Sequence, residues 1–501
     1  MRRCPLLLAP IALALFSPLS AHASPLIETM GPLGGNAGAQ GVVSGPGAAS
    51  TYFNPALLAE ASDELILGFA MIEEQLGVTL QGRPQSADVP LAVGGGGVLK
   101  PGGQPLPPDV VPTQWLQQGC PAGSGAGQCP GSGFAARPRQ GQGSSGQTRT
   151  YLALGIVKSL VKDRFVLGIY GMLPLSSFTA AQAFYADERE ALFSNSLHPE
   201  LYGDRLTSVS VVFGAGLKLL PELSIGASAS LNLANTATSN DYIQSGTDYS
   251  TLLLDNGVKT TVNVAPTLGV RWAPARSVRF GAAVHAPESF LVDTTITATL
   301  PTGTASGTTA RNVFDWMPWS FNFGGEADLV HRGKYTMSVT ASIDYALWSS
   351  YEDRQDITPG SYGPGLGFKN TLSGVVGVRH TYENARAFVD LRYIPSPVPE
   401  QIGRSNYVDN DRLGIVAGAD VLLKWLKLRP GIQLFADRFI PRYNKKEDSL
   451  LVDELPDGST FGATGQPVPG SQGLQTNNPG YPGFSSGGWL WGGAVTLSMP
   501  L

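Results

Sequence analysis

Beyond Ser24 the sequence has no continuous apolar run of the roughly eighteen residues that a membrane helix needs, which excludes a helical spanning protein. Charge is scarce as well. Asp, Glu, Lys and Arg make up 15% of the chain, against about 25% in soluble proteins. A surface so poor in charge does not suit the several water-facing domains that 501 residues would otherwise suggest. The net charge of −5 leaves no basic footprint for nucleic acid. Past residue 24 the only histidines are His198, His285, His331 and His380, and none stands beside a serine in an arrangement suited to acyl transfer. Asp63 with Glu64, and Glu73 with Glu74, are adjacent carboxylates that a strand sends to opposite faces, which is unsuited to acid/base pairing. The chain is therefore expected not to be an enzyme, and no cofactor or metal is expected.

Cysteine is nearly absent. Cys4 lies in a leader made of Arg2 and Arg3, an apolar run over 5–19 and the small-residue site Ala21-His22-Ala23. This three-part pattern is that of an exported chain's signal peptide, expected over 1–23. Cys120 and Cys129 remain, and in an exported chain they are expected to close a small disulfide loop. A zinc site is disfavoured because no histidine lies near them and two thiolates do not complete a tetrahedron.

Glycine, in contrast, is abundant at 62 residues, and the recurring pattern is alternation with period two. In "LSIGASASLNLAN", Leu223, Ile225, Ala227, Ala229, Leu231 and Leu233 share one face and Ser224, Gly226, Ser228, Ser230 and Asn232 the other. "YTMSVTASIDYALW" repeats this with Tyr335 to Leu347 against Thr336, Ser338, Thr340, Ser342 and Asp344. A sandwich turns such an apolar face to a core, and a membrane barrel turns it to lipid. The spacing discriminates. About fourteen strand candidates, one of them at 277–296, are joined alternately by short links such as "VKDR", "LPEL", "PARS" and "HRGK" and by long ones such as 81–149, 176–205, 236–258, 349–369 and 438–486. That alternation predicts an all-β, transmembrane antiparallel β-barrel, in the bacterial outer membrane. Trp272, Trp316, Trp348, Trp425 and Trp489 fall near strand ends, where interfacial girdles belong. A change of apolar parity near Glu73 and Glu74 predicts a β-bulge.

Charges on the apolar outer face would cost roughly 2–4 kcal/mol for a basic side chain at the midplane. Asp344, Arg386, Asp390, Arg392, Arg412, Asp420, Arg429 and Asp437 are therefore expected to face the lumen as a ladder of mixed sign. Such a ladder either braces the wall or lines a polar conduit. His285 is expected on the lumenal face as a hydrogen-bonded wall residue.

Four strings then resemble one family in the right order: "NPALLA" after a glycine-rich start, "YALWSSYED", "GFKNTLSGVVGVRH" and "SPVPEQIGRSNYVDNDRLGIVAGADV". They are similar to the FadL/TodX family of outer-membrane transporters of long-chain fatty acids and hydrocarbons. The resemblance implies an N-terminal hatch over 24–62 plugging a barrel over 63–501, with Asn54, Pro55 and Ala56 at its hinge. It also implies passive diffusion of a hydrophobic ligand, with lateral exit beside a kinked third strand. In "RFVLGIYGMLPLSSF", Leu173 and Pro174 occupy the kink position, although Pro174 equally suits a strand end. Lys369 and Arg412 are expected near the ligand pathway. The sequence departs from the fatty-acid binders at Asn240 and Pro364, where they carry basic groups, which points to a neutral ligand or to a carboxylate kept wet by Arg412 or Lys369. The expected partners are a small hydrophobic molecule and membrane lipid, and the chain is expected to act as a monomer. The reading held beside this one is a surface barrel that binds a partner through its enlarged first loop.

Overall fold

The computed structural model describes residues 25–81, 147–175, 185–186, 196–197, 210–242, 253–299, 305–351, 367–402, 407–446 and 483–501. The expected signal peptide, the Cys120–Cys129 loop and Pro364 lie outside the described residues.

Alternating sequence becomes long antiparallel strands. In chain order they are β1 (Glu64–Leu80), β2 (Gln147–Val161), β3 (Phe165–Pro174), β4 (Ser210–Leu220), β5 (Leu223–Tyr242), β6 (Leu253–Ala275), β7 (Val278–His285), β8 (Glu288–Thr299), β9 (Ala305–Met317), β10 (Ser320–Arg332), β11 (Tyr335–Ala346), β12 (Thr371–Tyr382), β13 (Ala385–Ile394), β14 (Arg412–Val421), β15 (Arg429–Lys445) and β16 (Gly483–Pro500). Fourteen of them close a barrel, in which β1 pairs with both β2 and β16, and β5 with β6. Closure leaves no open edge, since every wall strand finds a partner on both sides.

The remaining two strands, β8 and β9, depart from the expectation. The candidate at 277–296 is not one strand: β7 ends at His285, and β8 leaves the wall as a hairpin with β9 that pairs in parallel with the far end of β5, from Asn235 to Tyr242. Pro287 lies between β7 and β8 and has no N–H to give the ladder. Strands β5, β6 and β15 also extend beyond their expected ends, into what the sequence presents as the loops 236–258 and 438–486.

Faces sort as alternation predicts. Ile225, Leu268, Ile343, Leu372, Leu391, Leu413 and Leu434 are exposed on the outer surface, while Ser224, Ser228, Ser230, Ser338 and Thr340 are buried within. The predicted bulge at Glu73 is absent. β1 keeps continuous register with β2 from Glu64 to Glu74 and with β16 from Glu64 to Leu80. The inward face there is itself apolar, with Ile66, Ala70, Ile72, Leu76 and Val78 all buried. β1 is thus apolar on both faces, which mimics a parity switch. Trp272, Trp425 and Trp489 are exposed as expected, but Trp316 and Trp348 are buried and belong to the interior.

The interior is filled by residues 25–61. Helix α1 (Pro25–Met30), helix α2 (Ser50–Phe53) and a 3₁₀ turn (Pro55–Glu60) bury Leu26, Ile27, Met30, Tyr52, Leu57 and Leu58 against the inner wall, and Leu33 in the loop after α1 is buried with them. Three glycines in register, Gly216, Gly226 and Gly269, let the backbone approach. A Cβ on Gly226 would lie 2.2 Å from the Pro55 carbonyl carbon, and one on Gly269 would lie 2.1 Å from Asn54 Oδ1.

Candidate functional site

Asn54 sits at the centre of this contact and is fully buried. Its Nδ2 donates to the Val42 carbonyl (2.8 Å) and to the Val270 carbonyl of β6 (3.1 Å), and its Oδ1 accepts from the Ala56 N–H (3.1 Å). Pro55 opens the 3₁₀ turn, where a missing N–H costs nothing. The Asn-Pro pair therefore fastens the inner segment both to itself and to the wall.

Further fasteners come from the charged ladder. Asp390 is fully buried, receives two bonds from Arg379 (2.5 and 3.0 Å) and accepts the Ala39 N–H (2.7 Å), while Arg379 also donates to the Ala37 carbonyl. Glu64 accepts from the Ala48 N–H and from Ser498. Gln433 donates to the Met30 carbonyl, and Ser44 to Glu326. Arg379 is absent from the sequence-derived ladder, although it shares an inward face with Thr371 and Ser373; Glu64 and Glu326 are absent likewise.

The structure divides the expected ladder into clusters. Arg386 and Arg429 both bond Asp420, near the short-turn end of the barrel. Higher up, Arg392 grips Asp437 with two bonds (2.8 and 2.9 Å) and Arg412 reaches the same carboxylate (3.3 Å). Buried Asp437 and Asp390 are each met by guanidinium groups, which offset part of the cost of burying their charge. Asp344 stands apart from both clusters.

Between the inner segment and the wall lies a cavity of ≈ 200 Å³. Glu28, Thr29 and Tyr52 come from the inner segment, Asp344, Arg392 and Arg412 from the wall, and Met317, Trp348, Pro395 and Pro397 supply apolar surface. The Tyr52 hydroxyl donates to Glu28 (2.8 Å), and its ring lies 5.1 Å from that of His285, which shares a hydrogen bond with Thr267. Trp348 joins the cavity to a group of buried rings, with Trp316 5.8 Å and Phe368 6.3 Å away and Tyr351 stacked on Phe368 at 4.1 Å.

One side of the cavity is held by the segment between β13 and β14. Ser396 N–H and the Tyr393 hydroxyl both donate to Asp411, Arg442 donates to the Val398 carbonyl, and Asn410 donates to the Ile440 and Ser486 carbonyls. These bonds fold "SPVPEQ" inward and bury Pro397, Val398 and Pro399. Of the expected pathway residues, Arg412 lines the cavity. Lys369 does not: its backbone N–H bonds the Pro397 carbonyl and its side chain is exposed. Leu173 and Pro174 are not among the lining residues and lie at the end of β3, where pairing with β2 continues to Pro174. Asn240 is exposed near the end of β5.

No family model matches the sequence, and no curated protein matches it. Among solved structures, a Pseudomonas aeruginosa FadL homologue matches over 94% of this chain and 98% of its own, at 13% identity and a TM-score of 0.51. The Pseudomonas putida toluene transporter TodX (12% identity, 96% of this chain and 99% of its own, TM-score 0.45) and the Ralstonia pickettii toluene transporter TbuX (11%, 97% and 99%, 0.41) are also similar. On the first of these, the chain has the β-barrel fold of a FadL homologue, as the four sequence strings imply.

Proposed function

We propose that this protein is a bacterial outer-membrane channel for passive uptake of small hydrophobic molecules, with residues 25–61 as its hatch. The observation that carries this reading is an internal cavity part-walled by a segment that fills the lumen, inside a barrel whose outer face is apolar. Such an outer face suits lipid rather than water. Ligand enters past the aromatic group at Trp348, rests in the cavity and leaves when the hatch shifts. A lateral exit beside β3 is supported by Pro174, which follows Leu173 and has no N–H to give a ladder there. Passage straight into lipid spares an apolar chain about 0.8 kcal/mol per CH₂ that crossing water would cost. The chain works as a monomer because each barrel encloses its own path.

The test is uptake of a radiolabelled medium-chain hydrocarbon or alcohol by cells that rely on this protein, compared with cells carrying an Asn54→Ala, Pro55→Ala variant. Slower uptake with an intact heat-modifiable barrel supports a hatch. Identical uptake by cells lacking the protein removes the transport reading. Uptake retained, but adhesion lost, on deleting residues 82–146 favours the partner-binding reading instead.

A further inference from the structure

We infer that the cavity selects neutral ligands that carry a hydrogen-bond donor, such as alcohols or phenols, over carboxylates of equal length. The inference rests on the channel reading above and narrows its substrate class.

Charge at the site decides the sign. Glu28, Asp344 and Asp409 line the cavity, while its guanidinium groups, Arg392 and Arg412, both turn to a further carboxylate, Asp437. Arg392 in addition donates to the Thr29 carbonyl (3.3 Å). Even leaving out the deeply buried Asp344, three carboxylates, Glu28, Asp409 and Asp437, stand against two guanidiniums, and an entering carboxylate meets more repulsion than attraction. The cavity has acceptors to offer instead. Asp344 Oδ1 is buried and has no hydrogen-bond partner among the described residues. A buried acceptor left unpaired is costly, so a ligand O–H that reaches it relieves that cost as well as forming a bond. Asp344 is set on β11 beside the apolar surface of Met317 and Trp348, so a ligand can place its polar end on the carboxylate and its body on the rings.

Size narrows the class further. At roughly 10–15 Å³ for each water-sized position, ≈ 200 Å³ holds on the order of fifteen non-hydrogen atoms. A medium-chain alcohol or a substituted phenol fits, whereas a long acyl chain does not fit entirely.

The experiment measures binding of decan-1-ol, decane and decanoate to the full-length protein folded in detergent, by equilibrium dialysis with radiolabelled probes. The wild type is expected to bind decan-1-ol about tenfold more tightly than either decane or decanoate. Asp344→Ala is expected to equalise decan-1-ol and decane, and Asp344→Asn to narrow the gap between decan-1-ol and decanoate. A heat-modifiable band establishes that each variant is folded, and if the alanine variant does not fold, the asparagine variant decides alone. Decanoate binding as tight as decan-1-ol in the wild type, or ratios unmoved in both variants, overturns the inference. Decane bound as tightly as decan-1-ol overturns it while leaving the channel reading intact. If none of the three probes binds, both readings fail.

Discussion

Asn54 shows how much one side chain holds. Its amide spans two backbone carbonyls, one on the inner segment and one on β6, and its oxygen caps the turn that follows. Asn54→Ala leaves buried polar groups unmatched, at about 1–3 kcal/mol. Hydrogen exchange should then quicken at residues 41–61 while β16 keeps its protection; equal protection throughout would count against the fastening role. Asp63 gives a pH-dependent counterpart just outside the wall. Hydrogen bonds from Lys158 and Ser159 hold its carboxyl down to about 2, below the usual 3.8. A depressed carboxyl pKa adds stability above the unfolded value and loses it as pH falls through the folded one. Asp63→Asn should therefore lower the urea midpoint at pH 6, with the difference from wild type closing between about pH 4 and pH 2. A difference that persists unchanged to pH 2 would rule this out. At this scale the sequence reveals that Asn-Pro forms a turn, because that preference is local. It cannot show which carbonyls the amide meets, since Val270 is 216 residues away.

Elements carry the latch. Arg379 on β12 and Asp390 on β13 pair within the wall, and both also hold the backbone at Ala37 and Ala39. Asp390→Asn removes one charge of a buried pair, and about 3–5 kcal/mol should follow. Because the lost bonds include those to the inner segment, protease cleavage within residues 30–45 should quicken in the folded barrel; unchanged cleavage would mean that the pair braces only the wall. The glycine row acts from the opposite side. Gly226→Val drives a side chain into Pro55 and should raise single-channel conductance in planar bilayers without preventing the barrel from closing. Element type was legible from alternation, because a strand's side chains repeat every second residue. Element fate was not. β8 alternates much as a wall strand would, and only its pairing with β9 and with the end of β5 takes it out of the barrel. Trp316 and Trp348 lie near strand ends as girdle residues do, yet the chain turns them inward onto Tyr351 and Phe368.

Across the whole molecule, an outer apolar face and an inner segment divide the work. Deleting residues 25–61 should leave a barrel that folds and conducts ions steadily, whereas the intact protein should show little conductance. Equal conductance of the two forms would mean that the segment is not a seal. Leu268 is 62% exposed on the outer wall, so Leu268→Arg should weaken folding into bilayers by up to about 2–4 kcal/mol, measured by denaturant titration in vesicles. An unaffected titration would argue that this face does not meet lipid. The sequence by itself determined the strand periodicity, the closed barrel of fourteen and the inward direction of the ladder, because each follows from local alternation and from the cost of charge in lipid. Tertiary structure alone decided that Arg379 rather than Arg392 pairs with Asp390, that Gly216, Gly226 and Gly269 align, and that Glu28 and Asp344 meet across one cavity. Those facts depend on register between strands and on where the inner segment comes to rest, and contacts between residues hundreds of positions apart leave no periodic mark in the chain.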